Sequence, residues 1–178
     1  MKTFNREEGG KLWEAWWDAM EQEWFKVEVL QDYRGEDDSP SLAAWRLGKK
    51  EESLILLKNQ GLDADWQKAL DTKKHVKKLR FHIIEKPLSS YMEWEIEHYK
   101  IYNIPFGGEE IYLVPKEKVR HLQIPDGDFV IFDNKRVVKN TYDSTGKVVT
   151  YDFYEEGDDI SQFLALKSEL LKCREPLP

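Results

Sequence analysis

The sequence predicts an α/β (α+β) fold: a single domain in which a mixed, largely antiparallel sheet is flanked by helices and a C-terminal strand meander is followed by a helix. Three observations lead there. "DFVIFD", "KRVVKNTY" and "KVVTYDFY" are strand-like runs separated by the turn compositions "DNK" and "DSTG", as in an antiparallel meander. Helical periodicity stands at both ends of the chain and alternates with strand patterns between them, so helices pack against the sheet. The 178 residues, 40% hydrophobic and 13% aromatic, supply one substantial core and would crowd two. The expected organisation is one domain over 1–178, with 1–72 mainly helical around one strand and 73–178 rich in sheet.

Taken in order, Leu12, Trp13, Trp16, Trp17, Met20 and Trp24 recur at three- and four-residue spacings, which predicts an amphipathic helix from Arg6 to about Glu23. Trp13, Trp17 and Trp24 share its buried face with Met20, and Trp16, nearest the edge of the stripe, is placed to reach a partner. "WFKVEVLQDY" alternates as a strand does, with Phe25, Val27 and Val29 on one side. Ser39 as N-cap and Pro40 at the first helical position open a short helix that stops at Gly48. Two more helices follow, "EESLILLKNQ" closed by Gly61 and "DADWQKALDTKK" opened by Asp63. A strand is expected near 77–85, and a helix capped by Ser89 or Ser90 in "LSSYMEWEIEHYKIY". "EEIYLVP" is a short strand halted by Pro115, ahead of the meander. The last helix is capped near Asp158 or Asp159 and buries Ile160, Phe163, Leu164, Leu166 and Leu170.

Composition narrows the function classes. Acidic residues number 34 against 27 Lys plus Arg, and the net charge of −7 opposes global attraction to phosphate backbones or anionic lipid. No apolar run approaches the ~20 residues that span a bilayer, and "MKTFNREEGG" has no hydrophobic signal segment, so a cytoplasmic protein without membrane association is expected. The one cysteine, Cys173, excludes an internal disulfide and reads as a packed thiol. His75, His82, His98 and His121 form no zinc-ligand spacing, and His75 and His82, on opposite faces of a strand that includes both, read as one solvent-facing and one packed imidazole. No serine sits on a nucleophile elbow. Neither a metal nor another cofactor is expected. The basic run "KKHVKKLR" brings Lys73, Lys74, Lys77 and Lys78 together as a candidate nucleic-acid contact, although lysines beside a strand also solvate it and discourage edge pairing.

The stretch "DGDFVIFD" poses the sharpest question, since Asp126 and Asp128 precede a strand and Asp133 follows it. An extended run of five residues separates Asp128 from Asp133 by ~16 Å, so the two cannot share one ion. Together with "RFHIIEKPLSSYMEWEIE", "GGEEIYLVP" and "LQIPDGDFVIFDNKRVV", this stretch resembles an uncharacterised bacterial domain-of-unknown-function family, mostly of actinomycetes, over residues 77–138. The resemblance carries no activity with it. More weakly, residues 77–172 are similar to half of a phospholipase D-type domain, whose His-x-Lys-x4-Asp signature has the span of "DGDFVIFD". Asp126 and Asp128 would then replace the histidine and lysine, which implies a scaffold without the phosphoryl nucleophile and its anchoring cation.

The expected function is that of a non-catalytic regulatory or partner-binding protein of the bacterial cytoplasm, with a protein or a small ligand as partner. The residues expected to line its site are Arg80, Tyr91, Glu95, Asp128 and Asp133, polar groups at strand ends where a sheet opens. A purely structural role for the same residues would pair Arg80 with Glu95. The alternatives are a metal-assisted enzyme acting on phosphates or nucleotides, and a nucleic-acid adaptor using the 73–80 run.

Overall fold

A computed structural model describes residues 1–33, 39–59, 64–174 and 177. Its strands are β1 (Lys2–Asn5), β2 (Glu23–Glu28), β3 (Lys77–Ile84), β4 (Glu109–Pro115), β5 (Phe129–Phe132), β6 (Arg136–Tyr142) and β7 (Val148–Tyr154). Its helices are α1 (Arg6–Asp18), α2 (Pro40–Arg46), α3 (Lys50–Asn59), α4 (Ala64–Thr72), α5 (Ser90–His98), the one-turn α6 (Lys116–Val119) and α7 (Ser161–Lys172). All seven strands join one sheet in the order β1-β7-β6-β5-β2-β3-β4. The β2–β3 and β3–β4 contacts are parallel and the others antiparallel, which gives the expected mixed, largely antiparallel sheet.

The meander forms as expected. The β5–β6 loop has three residues, Asp133 to Lys135, and Asp133 and Asn134, with φ of 53° and 57°, are the left-handed central pair of the turn closed by Lys135 N on Phe132 O at 3.0 Å. Ser39 caps α2 through Leu42 N and Ser89 caps α5 through Met92 N, while Gly48 takes φ 78° just past α2. The caps expected at Gly61 and Asp63 lie outside the described residues. At the last helix, Ile160 holds the N-cap position without a side-chain bond, and Asp159 instead accepts from Ser161 N at 2.9 Å.

Three expectations need correction. The first helix ends at Asp18, and Trp24 lies on β2 while still packing edge-on against Trp17. The reason is Asp133, whose carboxylate accepts from the backbone N–H of Glu21, Gln22 and Glu23 at 3.0, 2.7 and 2.8 Å and draws that segment onto the sheet. Among the described residues of 1–72 there are two strands where one was expected, because the four residues of β1 pair with β7 through a register too short to show periodicity. Trp16 is buried against Phe132 and Phe153, so it is no free edge.

Side-chain alternation divides the sheet's two faces. One buries Phe25, Val27, Leu79, Phe81, Phe129 and Ile131 beneath Phe163, Leu166 and Leu170 of α7. Cys173 packs at the edge of this cluster. The other face is shared. Trp16 and Trp17 of α1 cover Val130, Phe132, Val138 and Phe153, while Ile84 joins a separate cluster with Trp45, Met92 and Trp94 from α2 and α5. Between those two apolar regions the same face of β2 and β3 carries charge.

Candidate functional site

The parallel register sets Lys26 opposite Arg80 and Glu28 opposite His82. These four side chains share the second face, because the intervening Phe25, Val27, Leu79 and Phe81 belong to the α7 side. Their helical cover is incomplete, leaving a cleft of about 330 Å³ lined by the sheet, α5 with its π turn (Tyr99–Asn103), the start of α1 and the β6–β7 hairpin.

The floor is an ion network. Glu28 accepts from Arg80 Nη1 at 2.7 Å and from Tyr99 Oη at 2.6 Å, and pairs with Lys26 at 2.6 Å. The Arg80 fork also grips Glu109 through Nε at 2.6 Å and Nη2 at 3.1 Å. Burial would raise the Glu28 carboxyl, but the charges of Arg80 and Lys26 outweigh it and hold the group well below its ordinary range. For Arg80 the effect of burial is likewise outweighed, here by Glu109 and Glu28. Burial lowers His82, fully enclosed between Tyr99 Oη and Leu30 O, each 2.8 Å from a ring nitrogen.

Asp128 forms a second polar centre. Gly127 brings it there with φ 104°, where a Cβ would stand 2.1 Å from Asn140 O, so only glycine fits. Its carboxylate accepts from Val29 N at 2.9 Å, Tyr33 Oη at 3.0 Å and Tyr142 Oη at 2.6 Å. Burial, followed by the negative Glu28, outweighs these donors and pushes the carboxyl up to about 6.

The opposite wall comes from α5. Tyr91 Oη donates to Glu95 at 3.2 Å, and both residues are buried. One turn on, His98 is stacked between Trp94 and Tyr102 at centroid distances of 5.3 and 5.2 Å. Burial drops its imidazole to about 4, so it is neutral at pH 7. Buried His98 Nδ1 and Asn103 Oδ1 have no hydrogen-bond partner among the described residues. The π turn relates the two, since a backbone that bonds five residues apart, as Ile104 N does to Tyr99 O at 3.0 Å, brings positions such as 98 and 103 toward one face.

The described chain from Trp24 to Tyr151 thus supplies every wall of the cleft except that formed by Arg6. The family described as a domain of unknown function, DUF6879, matches residues 11–178. The chain belongs to the DUF6879 family. The likeness noted at 77–138 therefore extends over nearly the whole sequence, and the DUF6879 match takes in the β2–β3 network, Asp128 and the α5 wall, with Arg6 ahead of it. No curated protein matches the chain.

Of the residues singled out in the sequence, Arg80, Tyr91, Glu95 and Asp128 line this DUF6879 cleft, and Asp133 does not. Asp133 lies at the far end of β5, spent on three backbone amides. Arg80 pairs with Glu28 and Glu109 and not with Glu95, the partner that a purely structural role implies. Three of the four lysines of the basic run are engaged within the protein. Lys73 is buried and donates to Asp18 O and Met20 O, Lys78 is buried and donates to Lys73 O, and Lys74 pairs with Asp71. That leaves Lys77 as the member of the four without a partner among the described residues.

Sequence reading missed Lys26, Glu28, His98, Asn103 and Tyr142. One signal was available for the first two: "FKVE" and "LRFH" place charged or polar groups on alternate positions of strands that lie side by side in the interior of the sheet. Nothing in the local pattern marks Asn103 or Tyr142.

Among the described residues, no three His, Cys, Asp or Glu are grouped to hold a metal ion, and no helix is long and apolar enough to cross a membrane.

Proposed function

We propose that this DUF6879 protein is a non-catalytic regulatory protein of the bacterial cytoplasm, and that it binds a small polar ligand in the cleft between α5 and the sheet. Arg80, Tyr91, Glu95 and Asp128 shape the site. The observation that carries the reading is that two residues lining one wall, His98 and Asn103, hold polar atoms, Nδ1 and Oδ1, that are closed to solvent and have no partner among the described residues. An unsatisfied buried polar group costs about 1–3 kcal/mol, and a ligand toward which these two side chains turn, so that it bonds to both, recovers that cost.

The non-catalytic part rests on how the carboxylates are used. Glu28 is occupied by Arg80, Lys26 and Tyr99, and Asp128 by an amide and two phenols. A general base or nucleophile needs a free lone pair directed at substrate, and three of the roughly four lone-pair sites on each of these carboxylates are directed at the protein. Their role is to fix the shape and charge of the floor.

A thermal-shift screen against a metabolite library tests both parts, because a ligand specific to the native state raises Tm by mass action. The expected result is a hit whose Tm increase is lost in Asn103→Leu and which is recovered chemically unchanged after incubation. Hits indifferent to that substitution would remove the cleft from the account, and conversion of a hit to product would end the non-catalytic reading.

A further inference from the structure

The charges at the mouth differ from those on the floor. Lys26, Glu28, Arg80 and Glu109 neutralise one another inside the network. Arg6, the first residue of α1, and Lys147, on the β6–β7 hairpin, line the same cleft, are exposed, and form no ion pair among the described residues. Lys147 is felt by Asp143, but that carboxylate is taken up by the hydroxyl and amide of Thr145 and by the Lys147 amide. Near Arg6, Glu7 pairs with Lys11 and Glu8 accepts from Asn5. The two cations are held on one rim by the sheet, since Asn5 pairs with Thr150 and Phe4 with Tyr151 in the β1–β7 ladder. Gly9 seats α1 against the same strand: a Cβ there would meet Tyr151 Cδ2 at 2.4 Å.

The lining also holds the carboxyl groups of Glu95 and Asp128, but these are set into the walls and bonded to Tyr91 and to Tyr33 and Tyr142, so at the rim Arg6 and Lys147 attract a negative group locally against the net charge of −7. On the inner wall, neutral His98 offers a ring nitrogen that donates or accepts, and Asn103 Oδ1 accepts. With the His98 tautomer that donates, the wall carries one donor and one acceptor, the complement of the amide-like edge of a planar heterocycle. The volume, about 330 Å³, lies near the small end of ligand pockets and admits a compact molecule.

Resting on the reading of the cleft as a ligand site, we infer that its ligand is a small organic anion, with a phosphate or carboxylate held by Arg6 and Lys147 and an amide-like edge bonded to His98 and Asn103. The anionic group sets the on-rate and part of the affinity, and the edge sets selectivity. Both ends are needed.

Isothermal titration of the full chain with the four common nucleoside monophosphates, their nucleosides, inorganic phosphate and an aromatic carboxylate bearing a lactam edge tests this. At least one edge-bearing anion should bind, and its affinity should fall on the order of tenfold in Arg6→Ala/Lys147→Ala, as expected for lost charge-assisted contacts. It should weaken further as salt is raised. Whether the nucleotide or the carboxylate binds tells which anion the rim prefers. Asn103→Leu should abolish binding of the same probe, and circular dichroism should show both variants folded. A neutral nucleoside that binds as tightly as its monophosphate, or a probe lost in Asn103→Leu but unaffected by the rim substitutions, overturns the anion inference while the cleft stands as a binding site. Binding by none of the probes, with a library hit that is neutral or cationic and sensitive to Asn103→Leu, does the same. Insensitivity of every binding probe to Asn103→Leu overturns the cleft reading itself.

Discussion

Replacing Asp128 with asparagine should change the pH dependence of stability in a direction opposite to that of an ordinary salt-bridged aspartate. The native carboxyl sits at about 6 against an ordinary 3.8, because burial and then the negative Glu28 outweigh its three donors. A carboxyl raised on folding contributes stability that is full below 3.8 and is lost as pH rises through about 6. The displacement corresponds to about 3 kcal/mol in total, and roughly half of that loss falls between pH 5 and 8. His98 titrates with the opposite sign: its native value of about 4 lies below the ordinary 6.5, so its contribution is present above 6.5 and disappears as pH falls toward 4. The two trends oppose each other in the wild type, so the wild-type profile by itself would hide both. The informative quantity is the difference between Asp128→Asn and wild type, in which the histidine contribution cancels. Urea unfolding at pH 5, 6, 7 and 8 should show the variant gaining on the wild type by about 1–2 kcal/mol across the series, whatever the offset at pH 5. Parallel profiles, or a variant that loses ground as pH rises, would refute the assignment of Asp128 as a carboxyl that folding makes harder to ionise.

Arg80→Met should lower unfolding stability by about 3–5 kcal/mol, because Glu28 and Glu109 would remain buried without their cation. Adding Glu28→Gln to it should cost less than the sum of the two single changes, read in a urea double-mutant cycle. Ser89→Ala removes the α5 cap together with a 2.6 Å bond to Gln31 O, and a loss of about 1–2 kcal/mol in the same assay is expected. Leu170→Ala, in the fully buried stripe of α7, should cost about 2–5 kcal/mol by calorimetry, with spectra of the tryptophan face unchanged because that cluster lies across the sheet.

The parts of the fold legible in the sequence were those whose pattern is local. Alternation in "DFVIFD" and "KRVVKNTY", the Ser39–Pro40 start and the Gly48 stop each act within a few residues and each appear in the structure. The end of α1 was not legible, since it depends on Asp133, more than a hundred positions along the chain. Arg80, Tyr91, Glu95 and Asp128, singled out as polar groups at strand ends, line the cleft from the middle of β3, from α5 and from just before β5, whereas Asp133 lies away from it, since position along a strand does not say which end opens into a cavity. Lys26 and Glu28 looked like a solvated strand face. Only the placement of β2 between β5 and β3, a matter of topology, turns that face inward.

The clasp of Asp133 on three amides has a further consequence, for strand alignment. A one-residue slip of β2 would exchange its two sides, sending Phe25 and Val27 into the polar cleft and Lys26 and Glu28 beneath α7. By fastening the head of β2 to the turn of the neighbouring hairpin, a single carboxylate holds the phase of the central strand. Amide hydrogens of residues 21–23, although near the surface, should exchange as slowly as those within the sheet.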